Sequence, residues 1–137
     1  MTRSTIVEGG CLCGSVRYRA SGAATHPTLC HCNSCRRAAG APVVAWVTFP
    51  LADFAYTKGA PARHRSSPPV ERTFCPRCGT PLTYLHSSYP TEIDVTTASL
   101  DDPSAFPPAD HTWASERIAW LELGDRLPRH ERSRSGS

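Results

Sequence analysis

The chain has 137 residues, 39% of them hydrophobic and 20% charged, with a formal net charge of +3 at neutral pH. That length suits one domain with its own core and is too short for two, while 13 prolines and 9 glycines imply many turns between short elements. The most apolar stretch, 41–49, is far below the roughly 20 residues that a membrane helix needs, and the opening Met1-Thr2-Arg3-Ser4-Thr5 lacks the apolar region of a signal peptide. Seven cysteines without an export signal point to reduced thiols in the cytoplasm, and the odd number argues against full disulfide pairing. The basic balance does not argue for nucleic acid or a membrane surface. Ligating cysteines are deprotonated, and seven thiolates with two divalent ions would cancel the formal charge.

In chain order, Ile6-Val7-Glu8-Gly9-Gly10 leads into Cys11-Leu12-Cys13-Gly14, a hairpin-like turn carrying two ligands, whose glycines let backbone N–H groups approach the sulfurs. Val16 and Tyr18 alternate with Arg17 and Arg19 at the period of a half-buried strand. Pro27-Thr28-Leu29 is extended and enters Cys30-His31-Cys32-Asn33-Ser34-Cys35. The residues from Asn33 read as a short helix or turn closed by Gly40, its N-terminus favouring anionic sulfur. The β-branched and aromatic run 42–50 is the best strand of the chain; 52–57, 62–66, 70–74, 82–86 and 92–97 are further strands. Cys75-Pro76-Arg77-Cys78-Gly79 is a knuckle that aims two thiolates at one point. Trp113 and Trp120 are expected in the core. The predicted domain is 5–128, with an Arg- and Ser-rich tail, 129–137, expected to be disordered.

The cysteines divide four and three. Cys11, Cys13, Cys75 and Cys78 make a complete tetrahedral set for a structural zinc, fastening turns far apart in the chain. Cys30, Cys32 and Cys35 are one ligand short, which is how a catalytic zinc keeps a position open. Against this stands a second structural site completed by a distant histidine, His86 or His111. Spacing also leaves open a swapped pairing of Cys30 and Cys32 with Cys75 and Cys78. His31, between two ligands, points away from their side in an extended segment, toward solvent or a supporting role as readily as an acid–base one. Arg36 and Arg37 offer bidentate binding to a carboxylate, against the more common solvated basic face.

Gly10-Cys11-Leu12-Cys13-Gly14, Cys30-His31-Cys32-Asn33-Ser34-Cys35-Arg36, Phe74-Cys75-Pro76-Arg77-Cys78-Gly79, and the stretch from His111 to Trp120 followed by Leu127-Pro128 resemble the glutathione-dependent formaldehyde-activating enzymes, whose relatives include centromere protein V. The resemblance spans most of residues 6–128 and implies an all-β fold of zinc-fastened antiparallel sheets, β-tent-like, with at most short helices. It implies a structural zinc at the four cysteines and a catalytic one at Cys30, Cys32 and Cys35. The implied activity is addition of glutathione to formaldehyde, in the carbon–sulfur lyase class. Three thiolates make zinc a poor Lewis acid, so delivery of a substrate thiolate is the more credible chemistry than polarisation of the carbonyl. A non-catalytic zinc module that binds a protein partner is the alternative, and nucleic-acid binding through the tail a third.

Overall fold

The computed structural model describes residues 5–135. Ten strands and one α-helix follow in order: β1 (Val7–Gly10), β2 (Arg17–Ala20), β3 (Thr25–Cys30), α1 (Asn33–Ala39), β4 (Val44–Pro50), β5 (Phe54–Lys58), β6 (Ala62–Ser67), β7 (Val70–Phe74), β8 (Pro81–His86), β9 (Glu92–Thr96) and β10 (Asp110–Thr112). The all-β expectation holds, and the strands fall close to their expected positions. β5 begins later than expected because Leu51–Asp53 forms a 3-10 turn after Pro50. Helix α1 ends where Gly40 takes up a left-handed conformation (φ 63°), which costs glycine little.

A small antiparallel sheet has the order β1-β2-β5, and a seven-stranded sheet runs β10-β3-β4-β9-β8-β7-β6. Every neighbour in the large sheet is antiparallel except β10 beside β3, which is parallel. Strand alternation separates two faces. Val47 and Phe49 of β4 with Ile93 and Val95 of β9 join Tyr18 and Ala20 of the small sheet in the main core. The intervening positions point the other way. Arg72, Tyr84, Asp94 and Thr48 are lateral partners across β7, β8, β9 and β4, and they form a polar row on the second face. Val44 and Trp46 pack there with Cys30 and Cys35.

Two expectations are corrected. Trp120 is 71% exposed, and Trp113 is half-buried beside the three-cysteine group, so neither fills the main core. The tail from Arg129 is not free over its described part: Pro128 O accepts from His111 N (2.8 Å), and His130 N donates to His111 O (2.9 Å). The sheet thus continues past residue 128 as a parallel bridge between His111 and Arg129. Arg134 clamps the buried Asp110 through Nε (2.7 Å) and Nη2 (3.0 Å). Burial pushes the Asp110 pKa up, but the hydrogen bonds from Arg134 and Thr28 more than offset it and hold the carboxyl below its ordinary value. Composition could not reveal this ordering, since it comes from backbone pairing to an existing edge. Residues 136 and 137 lie outside the described residues.

Arg134→Ala leaves the Asp110 carboxyl with Thr28 and with His130 at 3.4 Å, so the variant is expected to lose about 1–3 kcal/mol of stability in urea unfolding. An unchanged midpoint would show that the tail contributes nothing to the edge.

Candidate metal centres and the cleft between the strands

Two cysteine groups form, one of four and one of three. In each, all sulfurs lie within 4.8 Å of one another, and each group can hold a metal ion. The first joins Cys11 and Cys13, from the turn after β1, to Cys75 and Cys78, from the turn after β7. Its Sγ atoms stand 3.6 Å apart for Cys11–Cys13 and 3.8 Å for Cys13–Cys75. A tetrahedron with metal–sulfur bonds of about 2.3 Å has edges of about 3.8 Å, so the donor set fits a four-thiolate ion. The swapped pairing is thereby excluded, and all seven cysteines are free.

Donors surround these sulfurs. Val16 N reaches Cys11 Sγ at 3.3 Å, and Arg77 N and Cys78 N both reach Cys75 Sγ at 3.4 Å. Ser15 Oγ lies 3.0 Å from Cys13 Sγ and 3.3 Å from Cys75 Sγ. Thr80 Oγ1 accepts from Leu12 N (3.1 Å), which leaves its hydrogen for Cys78 Sγ at 3.2 Å. That hydroxyl bond and Thr80's backbone N–H draw the Cys78 pKa down to about 5. The sulfur-directed amides thus come from the knuckle and from Val16, not from the glycines before Cys11. Those allow close packing instead: a Cβ on Gly9 would sit 2.5 Å from the Tyr18 hydroxyl.

The second group, Cys30, Cys32 and Cys35, straddles the end of β3 and the first turn of α1. Cys32 is the N-cap, its sulfur accepting from Cys35 N at 3.2 Å, and Cys30 Sγ lies 3.5 Å from Cys35 Sγ. Hydrogen bonds from Cys30 and Cys35 hold the Cys32 thiol far below its ordinary value, while the same contacts and burial push Cys30 up. No histidine or carboxylate joins this group among the described residues. His111, one candidate for a fourth ligand, directs Nδ1 to His31 Nε2 (2.8 Å) and Nε2 to both Asp125 oxygens (3.0 Å). His86 stands in the cleft wall, its Nδ1 accepting from Ser88 N.

His31 does turn away from its cysteine neighbours, but into the interior: it is 2% exposed and stacked on His111. Burial, and then the charges of His111 and Arg117, hold its pKa below the ordinary histidine value. It braces the loop from behind. Arg36 and Arg37 are also engaged in support. Arg36 donates to the His31 and Glu116 carbonyls and Arg37 to Asn33, and neither lines the cleft.

The three-cysteine group opens on a cleft of about 610 Å³. Residues that the sequence did not assign to a site form its floor and walls: Trp46, Arg72, Tyr84, Asp94, Trp113 and Arg134. Alternation along β4, β7, β8 and β9 was the available signal, but it does not say which face of a strand meets the site. Arg72 lies with Nη1 and Nη2 at 3.9 and 3.8 Å from Cys35 Sγ, its guanidinium 5.0 Å above the Tyr84 ring. Trp46 is 93% buried, and its Nε1–H has no partner among the described residues, a deficit of about 1–3 kcal/mol unless a bound acceptor fills it. Asp94 accepts from Thr48 Oγ1 at 2.6 Å; burial nonetheless pushes its pKa up to about 6. Trp113 has φ 55°, a strained conformation for a bulky residue, and its N–H is tied to Arg132 O at 2.9 Å.

Fold and site together define a small β protein with one closed four-thiolate set and one open three-thiolate set facing a cleft. The chain belongs to the glutathione-dependent formaldehyde-activating enzyme family, whose model matches residues 6–116. It is 29% identical over 132 residues to a Halomonas elongata protein provisionally named for that activity, covering 88% of this chain and 83% of the relative. An uncharacterised lyase of Schizosaccharomyces pombe is 28% identical over 81 residues, 59% of this chain and 58% of that protein. The crystal structure of a Rhodobacter sphaeroides protein shares the fold, with a TM-score of 0.57 and 23% identity over 89% of this chain and 98% of that one. No helix among the described residues is long and apolar enough to cross a membrane.

The two groups are expected to fail differently. Cys75→Ser should unfold or aggregate the protein, whereas Cys32→Ser should stay folded and lose one of two bound metals, read by circular dichroism and native mass spectrometry. Collapse of both alike would remove the division of labour. Asp94 gives a separate expectation. Its raised pKa makes the folded state bind more protons than the unfolded state between about pH 4 and 6, so its contribution to stability falls as pH rises through that window. Asp94→Asn should therefore gain stability relative to wild type from pH 4 to 6 in denaturant titrations of metal-loaded protein; a constant difference would contradict the burial argument.

Proposed function

We propose that this protein is a zinc-dependent carbon–sulfur lyase of the S-(hydroxymethyl)glutathione synthase type, joining a small glutathione-like thiol to a small aldehyde, formaldehyde first, in the cytoplasm. The four-and-three division of the cysteines carries the reading. Cys11, Cys13, Cys75 and Cys78 would hold a structural zinc, and Cys30, Cys32 and Cys35 a catalytic one. The all-sulfur donor sets and the 3.5–3.8 Å sulfur separations suit zinc. When bound at the three cysteines, the ion supplies a position at which a thiol is held as thiolate.

The chain's own residues prepare the rest. Trp46, Tyr84 and Trp113 give the cleft apolar walls, and Cys35 N donates to the Cys32 sulfur. Arg134, whose Nε and Nη2 hold Asp110, brings its charge to the cleft for a substrate carboxylate; Glu92 and Asp94 offer anions to an ammonium group. An amino-acid thiol carries both kinds of charge. Holding its sulfur beside the aldehyde converts an encounter of two solutes into a positioned addition.

Exchange spectroscopy on mixed glutathione and formaldehyde tests the reading. Zinc-loaded protein should raise the exchange rate in proportion to its concentration, and folded Cys32→Ser should not. An exchange rate unchanged by wild-type protein would end the proposal.

A further inference from the structure

Addition of a thiolate to an aldehyde moves negative charge onto the carbonyl oxygen, and a zinc ion already bearing three thiolates does little to receive it. Something else in the cleft must. We propose that Trp46 and Arg72 form an oxyanion-binding pair, the indole Nε1–H and the guanidinium together receiving the oxygen of the carbonyl partner; this rests on the function proposed above.

Position supports the pair. A smaller cavity of about 340 Å³ adjoins the cleft, and Cys35, Trp46 and Arg72 line both. Trp46 packs against the three-cysteine group, and Arg72 reaches Cys35 directly. Tyr84 links them, its ring 5.8 Å from that of Trp46 and 5.0 Å from the Arg72 guanidinium. Ser66 Oγ takes the Arg72 Nε–H at 3.2 Å, so the Nη groups turn toward the sulfurs.

Both donors also remain open to an oxyanion. The Trp46 Nε1–H has no acceptor among the described residues although the residue is buried. Among the described residues, Arg72 has no carboxylate partner, unlike Arg17, Arg63, Arg129 and Arg134. An indole N–H can only donate, and a guanidinium stays charged at any working pH, so neither competes for the substrate's proton. In the addition, the sulfur lone pair forms the C–S bond and the carbonyl π pair moves to oxygen. That oxygen then takes a proton from water, replacing the one the thiol released on binding. The pair serves the charged stage between these events.

The test uses zinc-loaded full-length protein with ¹⁵N-labelled tryptophan, and formate as a small oxyanion probe. The indole resonance absent from Trp46→Phe should shift saturably with formate, and the shift should vanish in Arg72→Met. In the exchange assay, Arg72→Met and Trp46→Phe should each lower kcat about tenfold or more, with the KM for glutathione little changed and Arg72→Lys intermediate. No saturable shift overturns the pair, as does a shift that persists in Arg72→Met, which an anion seated on the metal alone would give. If Trp46→Phe does not fold, the Arg72 series decides, the indole signals being assigned in wild-type protein. Formate binding as expected in a protein without exchange activity would sustain the pair and sink the enzyme reading. Activity undiminished in folded variants would do the reverse.

Discussion

The meeting of four sulfur atoms from two turns sets the rest of the structure. Cys13 and Cys75 are 62 positions apart yet 3.8 Å from sulfur to sulfur, and no local preference of the chain brings them together. One turn ends β1 of the small sheet, and the other lies between β7 and β8 of the large one. Their junction seats the small sheet on the large, where Tyr18 and Ala20 complete the core with Val47, Phe49 and Val95. Closing so long a loop has a large entropic cost, and a shared metal ion would offset it for a domain with a modest apolar fraction.

Once that face is covered, the opposite face of the same strands is committed to the cleft. Period-two geometry makes this automatic: a strand that buries Val47 and Val95 on one side must present Thr48, Asp94 and their lateral partners on the other. The cleft row therefore mixes a cation, a phenol, a carboxylate and a hydroxyl within adjacent strands, while Trp46 and Trp113 pack beside the sulfurs. Charge and apolar surface coexist there because the fold is stabilised elsewhere.

Support for the three-cysteine loop comes from late in the chain. His31 leans on His111, His111 on Asp125, and residues 128–134 pair along the edge that β10 provides. Glu116 accepts from Asn33 N at 2.9 Å and so meets the start of α1. The same segment holds Trp113 in its strained conformation at the cleft wall. The three-cysteine loop thus depends on residues from late in the chain.

Sequence alone determined the ligand chemistry and the class of fold. Thiolate spacing is local, so the two-cysteine turns, the C-x-C-x-x-C loop and the helix closed by Gly40 could be read directly, as could the strands from their β-branched and aromatic runs. The division of seven cysteines into four and three also followed from counting. Tertiary structure alone decided what surrounds the open group. His31 turned inward and not to solvent, Trp120 stayed outside the core, Arg36 and Arg37 went to structural bonds, and the cleft took Arg72 and Arg134 instead. The reason is physical: a metal-binding turn is specified by residues a few bonds apart, whereas a cleft is specified by register between strands and by which edge a polar tail finds to pair with.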